Sequence, residues 1–472
     1  MKPLWTKKDL ISATNALDPS SYFLENFDGV WGVSIDDRTI QKGDLFIALI
    51  GDKFDGHNFI ENAIRKGAYG ILVSDKKLAY KYKGLLVEDT NNALRQIAKF
   101  SRHRFKGITI ALTGSSGKTS TKHILSSTLK KFGKTHNTYK NNNNLIGLSL
   151  TLSRLRDNYN YCVLELGMNN AGEIRALTEI ALPDIALITN ISNSHIQNFK
   201  NEKEIADEKS EIFTTLNENG IAIINSDTLW SEYLVKKAKK MSAKIHLFGH
   251  SKYANTKITQ LVDEKEGSTI SYDKIKNWHL TNLNTTQALN AIATISVIKE
   301  LKLSTVTSAK IISKIKPLSG RGEKIIINFG PKNKTFLIDD SYNANPDSMK
   351  VALSNFYKTK YKLNTYKTLL IIGDMLELGK NAEEIHFELI PIIKKINPDL
   401  LITVGPYTKK ISSKLKILIN CKSYLTIPPL LKRATKFIKP NQIILIKGSN
   451  GIGLWNLIPI FKNFNQEKRN VA

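Results

Sequence analysis

Residues 113–120 read TGSSGKTS and combine the residue types that bind nucleotide phosphates. Gly114 and Gly117 let the backbone turn its N–H groups toward phosphate oxygens. Lys118 can place an ammonium group beside the β and γ phosphates, and the Thr119 hydroxyl can ligate Mg²⁺. The segment therefore predicts a site for ATP or GTP. Its members are Gly114, Ser115, Ser116, Gly117, Lys118, Thr119 and Ser120.

Three further polar side chains are candidates for the site, each with a simpler structural alternative. Glu165 ends an apolar run and could hold Mg²⁺ beside the nucleotide, although an ordinary strand-end glutamate is the simpler alternative. His195 could bind a second metal ion or orient a phosphoryl group, or be structural only. Lys209 lies in a helix-like run in which a solvated lysine is the default.

A polar turn at residues 339–346, DDSYNANP, follows another apolar run. It concentrates carboxylates, amides and hydroxyls in one loop. Such loops at the end of a strand usually contact a ligand. The alternative is a turn built from Asn and Pro for backbone reasons alone.

The elements that must position these residues form two blocks of alternating strands and helices. Short apolar runs alternate with longer helical patterns, which indicates βα units on a largely parallel sheet. In such sheets, ligands bind outside the carboxyl ends of the strands. We predict strands over residues 107–112, 161–166, 184–189, 220–224, 335–338, 367–372, 400–404 and 442–446.

The chain of 472 residues is long enough for about three domains. Residues 1–105 form a separate unit, with predicted strands over 33–40, 44–50 and 70–73 and a helix over 58–66. The first βα block spans residues 106–316 and the second spans 317–472. Proline and glycine in residues 316–321 mark a linker that permits hinge motion.

The net charge of +27 raises the question of nucleic-acid binding. Lysines and arginines are spread along the whole chain, so we interpret them as a basic surface that also attracts anionic substrates. No window of about 18 apolar residues occurs, and the first residues lack the apolar core of a secretory signal. We therefore expect a cytoplasmic protein that binds neither nucleic acid nor the membrane interior.

The motifs in their order resemble those of the Mur ligases. The resemblance includes Asn141, Asn143, Asn144 and Gly147 after the phosphate loop, and Lys209 in the first block. It continues through ELGMNNAGEI from residue 165, NISNSH ending at 195, DDSYNANP from 339, GDMLELG from 373 and KGS from 447. SIDDR at 34–38, GDLFIALIG at 43–51 and DGHNF at 55–59 are similar to the uridine-nucleotide domain of one family member.

This resemblance implies a three-domain α/β protein. A small N-terminal domain would bind the UDP-linked substrate, a central phosphate-loop domain the nucleotide, and a Rossmann-like domain would follow. The implied enzyme uses ATP and Mg²⁺ and joins two small molecules, UDP-N-acetylmuramoyl-tripeptide and D-alanyl-D-alanine, through an acyl phosphate. The products are the UDP-linked pentapeptide, ADP and phosphate. We expect a monomer.

The resemblance also assigns roles by position. Lys118, His195 and Lys209 match catalytic positions. Thr119, Glu165, His195 and a carbamoylated Lys209 match the metal site. Asn284, Arg321 and Asp340 match contacts to adenine and ribose. The predicted substrate contacts are Arg38, Asn143, Asn144, Asn343 and Asn345.

Four positions depart from the family pattern. They are Asp37, Leu283, Gln287 and Asn450. Two other functions remain open: another ligase of the same superfamily with a different acceptor, and a nucleotide-switched protein that binds nucleic acid.

Overall fold

The computed structural model describes residues 2–21, 28–192, 196–264, 267–281, 283–330 and 333–469, without the side chains of 465–469. His195, a predicted catalytic and metal-site residue, lies outside these ranges. The described residues form α/β units around three larger sheets, as the sequence predicts. No helix among them is long and apolar enough to cross a membrane.

The N-terminal unit contains a four-stranded parallel sheet of order β1-β2-β5-β6 and a small hairpin of β3 and β4. Its strands are β1 (Gly32–Ser34), β2 (Asp44–Ile47), β3 (Ile50–Gly51), β4 (Phe54–Asp55), β5 (Gly70–Val73) and β6 (Leu85–Leu86). Its helices are α1 (Lys7–Thr14), α2 (Ile60–Arg65), α3 (Lys76–Lys81) and α4 (Thr90–Arg104).

The predicted strand over residues 33–40 is wrong beyond Ser34. There the chain turns into the 3-10 helix Asp37–Thr39. The Asp36 carboxylate accepts a hydrogen bond from the Arg38 backbone N–H at 2.9 Å. This local contact offers the backbone an alternative to strand pairing.

The central unit contains a nine-stranded sheet of order β15-β14-β13-β12-β11-β10-β7-β9-β8. Its strands are β7 (Ile108–Thr113), β8 (Thr135–Asn137), β9 (Tyr161–Glu165), β10 (Ile185–Ile188), β11 (Ile221–Asn225), β12 (Lys244–Gly249), β13 (Thr256–Glu264), β14 (Gly267–Tyr272) and β15 (Ile275–Leu280). Its helices are α5 (Lys118–Leu129), α6 (Leu145–Ser153), α7 (Glu173–Ala181), α8 (Glu202–Ser210), α9 (Ser231–Lys239), α10 (Thr285–Glu300) and α11 (Thr305–Ile312).

Strand β7 lies between β9 and β10 and pairs in parallel with both. The chain leaves β7 toward one side of the sheet and later returns to the other, so the end of β7 is a topological switch point. The strands from β8 to β13 are parallel. Strands β13, β14 and β15 form an antiparallel extension that was not predicted from the sequence.

The C-terminal unit contains a six-stranded sheet of order β16-β17-β21-β18-β19-β20. Only β16 in this sheet runs antiparallel to its neighbour. The strands are β16 (Glu323–Asn328), β17 (Lys334–Asp340), β18 (Lys367–Gly373), β19 (Leu400–Val404), β20 (Cys421–Tyr424) and β21 (Gln442–Lys447). The helices are α12 (Pro346–Lys362), α13 (Ala382–Phe387), α14 (Ile390–Ile396), α15 (Pro406–Leu415), α16 (Ile427–Leu431) and α17 (Leu457–Arg469).

Apolar side chains pack on both faces of the central sheet. On one face, Ile110 and Leu112 of β7 pack with residues of α5 and α10. On the other, Ala111 packs with residues of α6, α7 and α8. Because successive strand residues point to opposite faces, both layers fix the position of the loop that follows β7.

Asp207 joins α8 to α9. Its carboxylate contacts Lys203 at 2.8 Å, Lys237 at 2.9 Å and the Tyr233 hydroxyl. Burial would raise the pKa of Asp207, but these hydrogen bonds and charges lower it to about 2. Its folded-state pKa therefore lies below the ordinary value of 3.8.

We predict that Asp207→Asn destabilises the protein near neutral pH by on the order of 1 kcal/mol, allowing for solvent screening. A lowered carboxylate pKa stabilises the fold above about pH 4, and the contribution disappears as the pH falls toward about 2. In urea unfolding at pH 6, 4 and 3, the free energies of unfolding of the parent and the variant should become more similar as the pH falls. Glu218→Gln, which changes an exposed carboxylate, is the control. If the difference in free energy of unfolding between the parent and Asp207→Asn were the same at every pH, the prediction would be contradicted.

Candidate functional site

The predicted phosphate loop lies between β7 and α5, at the carboxyl end of the central sheet. Gly114 has φ +149°, and a Cβ there would lie 1.9 Å from Thr189 Oγ1. Gly117 has φ +81° at the N-cap of α5, and a Cβ there would lie 2.6 Å from Asn290 Oδ1. Both glycines are therefore required by backbone conformation and by close contact.

The segment after β10 holds the loop from one side. Asn190 accepts hydrogen bonds from the backbone N–H of Ser115 at 3.0 Å and, through its side chain, from that of Ser116 at 2.7 Å. The Ser115 hydroxyl donates to the Ser192 carbonyl at 2.9 Å. Asn190 begins the NISNSH motif, in which only His195 is predicted as a site residue, so the part that Asn190 plays in shaping the loop is not predicted from the sequence.

Lys118 begins α5 and folds back across the loop, while Ser120 lies in the same first turn. The Lys118 ammonium donates a hydrogen bond to the Gly114 carbonyl at 2.6 Å. Burial lowers the pKa of Lys118, the negative charge of Glu165 opposes this shift, and the positive charge of Arg321 adds to it. The Lys118 amine is thus held against the phosphate loop, where a bound phosphate would replace the Gly114 carbonyl as its hydrogen-bond partner.

Glu165, at the end of β9, is the most connected side chain of the site. Its Oε1 accepts hydrogen bonds from Thr119 Oγ1 and from Asn143 Nδ2, each at 3.0 Å. Its Oε2 lies 3.1 Å from Lys122 Nζ. Only 1% of Glu165 is exposed. The structure therefore brings together the predicted Thr119, Asn143 and Glu165, and adds Lys122.

The pKa of Glu165 lies below its ordinary value. Burial alone would raise this pKa, but the positive charges of Lys122 and Lys118, the close contact with the Lys122 ammonium and the hydrogen bond from Asn143 outweigh burial. The site therefore contains a buried, ionised carboxylate.

Lys209, at the end of α8, is 1% exposed rather than solvated. Burial and the positive charge of Lys118 lower the pKa of Lys209 well below its ordinary value, against the opposing charge of Glu208. Glu208 fixes this part of α8 by accepting hydrogen bonds from the backbone N–H groups of Gly172 and Ile174, at 2.8 and 2.7 Å. The default expectation of a surface lysine is wrong.

Arg321 connects the C-terminal unit to the phosphate loop. Its Nη2 donates to Thr119 Oγ1 at 3.0 Å, and its guanidinium lies 4.1 Å from the centre of the Tyr342 ring. Gln287 Nε2 donates to the Arg321 carbonyl at 2.6 Å. Asn284 caps α10 and accepts a hydrogen bond from the Gln287 backbone N–H. Two predicted nucleotide residues, Asn284 and Arg321, thus lie at one junction.

The DDSYNANP turn begins with the last two residues of β17 and contacts the end of β21. Asp340 forms an ion pair with Lys447 at 2.8 Å, and Lys447 also donates to the Asn343 carbonyl at 3.0 Å. Asn345 caps α12 through Ser348. The Asn450 side chain donates to the Tyr342 carbonyl at 3.0 Å. These contacts hold the turn in place, and the roles of Asn343 and Asn345 toward a substrate remain predictions.

The two remaining predicted substrate residues have structural contacts of their own. Asn144 caps α6 by accepting a hydrogen bond from the Gly147 N–H at 2.9 Å. Arg38 lies in the N-terminal unit, exposed, and pairs with Asp36 at 2.8 Å. Their roles toward a substrate remain predictions.

Three family descriptions match the chain in order. They are the Mur ligase family catalytic domain over residues 30–102, the Mur ligase middle domain over 112–298, and the Mur ligase glutamate ligase domain over 320–450. The UDP-N-acetylmuramoyl-tripeptide–D-alanyl-D-alanine ligase of Rickettsia prowazekii (strain Madrid E) is 35% identical over 435 residues, which are 91% of this chain and 95% of that protein.

Solved structures agree over almost the whole length. A crystal structure of MurF from Acinetobacter baumannii has a TM-score of 0.84 at 26% identity and covers 97% of this chain and 99% of that one. MurF ligase from Thermotoga maritima, solved in complex with ADP, has a TM-score of 0.74 at 24% identity and covers 93% and 98%. The latter similarity shows the fold alone.

We predict that Gly114→Ala lowers the stability of the protein and abolishes nucleotide binding, since the new methyl group would collide with Thr189 as well as strain the backbone. Gly172→Ala is the matched control, because Gly172 has φ +88° but nothing within 4 Å of its added Cβ. That control should cost only about 1–2 kcal/mol of backbone strain. Thermal unfolding and ADP titration of both variants test the prediction, and intact ADP binding by Gly114→Ala would contradict it.

Proposed function

Because the chain belongs to the Mur ligase family, we propose that it is an ATP-dependent amide ligase that adds D-alanyl-D-alanine to UDP-N-acetylmuramoyl-tripeptide. This reaction completes the peptide of a peptidoglycan precursor. Relatives with this activity in their names match 90–91% of the chain. The motifs DDSYNANP and GDMLELG favour the dipeptide as acceptor over a single amino acid.

The observation that carries the proposal is the convergence of Lys118, Thr119 and Glu165 at the switch point, with Arg321 reaching them from the C-terminal unit. A carboxylate is a poor electrophile, and phosphorylation supplies it with a leaving group. The γ-phosphoryl group of ATP would pass to the terminal carboxylate of the tripeptide. The amine of the dipeptide would then attack the acyl phosphate and release phosphate. Charge stabilisation dominates such a transfer, and Lys118 is placed to provide it.

The residues present fit a Mg²⁺ ion. Thr119 Oγ1 and Glu165 Oε1 lie 3.0 Å apart, and neighbouring oxygen ligands of octahedral Mg²⁺, each about 2.1 Å from the ion, lie about 3.0 Å from one another. Glu165 Oε2 is buried and makes no hydrogen bond, only the ion pair with Lys122. Within the described ranges no group of three or more His, Cys, Asp or Glu side chains is placed to hold a metal ion, at Glu165 or elsewhere. When bound, the ion would neutralise charge on the transferred phosphoryl group.

Lys209 is suited to carbamoylation. Its low pKa favours the neutral amine, which is the form that reacts with carbon dioxide. The added carboxylate would turn a buried cation into an anion that could join the metal site. His195, which lies outside the described residues, stays a predicted member of the same site.

The central and C-terminal units would share the nucleotide. Asn284 and Arg321 lie at their junction, and Asp340 is on the C-terminal side. We propose domains over residues 1–105, 106–316 and 317–472, with closure of the last two excluding water from the acyl phosphate.

The UDP-linked substrate would contact the N-terminal and central units, and the dipeptide the DDSYNANP turn. The residues proposed for these contacts are Arg38, Asn143, Asn144, Asn343 and Asn345. We further propose that the protein is a cytoplasmic monomer and that it binds no nucleic acid.

The decisive experiment is a ligase assay resolved by acceptor. Purified protein with UDP-N-acetylmuramoyl-tripeptide, ATP, Mg²⁺ and D-alanyl-D-alanine should release phosphate and yield the pentapeptide. Parallel reactions contain single amino acids, and both diaminopimelate and lysine forms of the tripeptide. If an amide product forms with a single amino acid and none forms with D-alanyl-D-alanine, the acceptor is that amino acid and the protein is another ligase of the same superfamily. Salt-sensitive nucleic-acid binding without any amide product would favour the switch protein.

We predict that Lys209→Ala lowers kcat by about 100-fold, as loss of a group that supports a metal site commonly does. Acetate or another short carboxylate should restore part of the activity, since it can occupy the space of the missing carbamate. Lys236→Ala, an exposed lysine on the neighbouring helix α9, should behave like the parent. Full activity of Lys209→Ala without added carboxylate would refute the role.

A further inference from the structure

Lys122 is a buried lysine that the mechanism above does not use. It lies one helical turn after Lys118 on α5, so both side chains share a face of the helix. Only 4% of Lys122 is exposed. A lysine is seldom buried to this degree unless it is paired.

Its ammonium joins three parts of the central unit. Lys122 Nζ lies 3.1 Å from Glu165 Oε2 at the end of β9. The same nitrogen donates to the Lys140 carbonyl at 2.7 Å. The loop containing Lys140 also supplies Asn143, which donates to Glu165 Oε1. Lys122 therefore ties α5, β9 and the loop before α6 to one carboxylate.

The two oxygens of Glu165 have different surroundings. Oε2 faces Lys122, whereas Oε1 faces Thr119 at 3.0 Å and Asn143 at 3.0 Å. With Oε2 held, rotation of the carboxylate away from the Thr119 hydroxyl would break the ion pair. The Lys122 contact thus selects which oxygen is presented to the phosphate loop.

Lys122 is not placed to touch a nucleotide itself. Its ammonium is already engaged by a carboxylate and a backbone carbonyl, whereas the Lys118 ammonium contacts the Gly114 carbonyl in the phosphate loop. We therefore expect Lys122 to act on catalysis through Glu165, which it contacts directly and through the loop that carries Asn143.

We propose that Lys122 is a positioning residue that orients Glu165 toward Thr119 and so prepares the two oxygens for a divalent cation. This inference rests on the proposed function, because it takes Glu165 and Thr119 as the cation's ligands. Partners that orient metal ligands typically change metal affinity or activity by about 10- to 100-fold when removed.

The test is ADP binding measured by calorimetry with and without Mg²⁺. For the parent, Mg²⁺ should tighten ADP binding. In Lys122→Met, which keeps the length of the side chain, this Mg²⁺-dependent gain should fall by about 10- to 100-fold. Binding of ADP without metal should change little. In the ligase assay, the Mg²⁺ concentration for half-maximal rate should rise while KM for D-alanyl-D-alanine stays constant. Lys130→Met, an exposed lysine at the end of the same helix, is the control.

A double-mutant comparison separates positioning from general destabilisation. If Lys122 acts through Glu165, then Lys122→Met should cause no further loss of the Mg²⁺-dependent gain in a Glu165→Gln background. The double variant also removes the unpaired buried charge, so it remains informative where Lys122→Met alone folds poorly. An undiminished gain in Lys122→Met, or an equal loss in both backgrounds, would overturn the inference. A parent protein without any Mg²⁺-dependent gain would overturn the proposed metal site and this inference together.

Discussion

The charge of Glu165 is almost completely removed from water, and the arrangement of the candidate site depends on how that charge is balanced. An isolated buried carboxylate costs several kcal/mol and would be protonated instead. Lys122 and Lys118 supply positive charge from α5, and Asn143 and Thr119 donate hydrogen bonds. The need to satisfy one carboxylate therefore draws the phosphate loop, its helix and the loop before α6 to the same point.

The topology of the central sheet makes this balance possible. Because β9 pairs directly with β7, the end of β9 lies beside the first turn of the helix that follows β7. Because β10 pairs with the other side of β7, Asn190 can hold the phosphate loop from the opposite direction. The loop is thus fixed between two neighbouring strand ends. This is the geometry expected for ligand binding at a switch point.

The junction with the C-terminal unit depends on few contacts near the site. Arg321 donates to Thr119, and Gln287 donates to the Arg321 backbone. The Arg321 guanidinium therefore contacts the hydroxyl that is proposed to face the cation, and two positive groups at this hydroxyl would repel each other. The polar turn at Asp340 is held separately, by Lys447.

Much of the site could be predicted because its signals are local. The glycines of the phosphate loop, the strand before it and the helix after it occupy adjacent positions, and their conformations follow from residue type. The predicted strand over residues 33–40 ends early, at Ser34, for a local reason too, since the Asp36 cap favours a turn that apolar periodicity does not reveal. The sequence alone determined the strand, loop and helix of the phosphate site and the order of the three units. Tertiary structure decided that Lys122 meets Glu165 and that Arg321 meets Thr119. The crossover connections of the central sheet set the first distance, and the contact between the central and C-terminal units sets the second. No spacing along the chain encodes either distance directly.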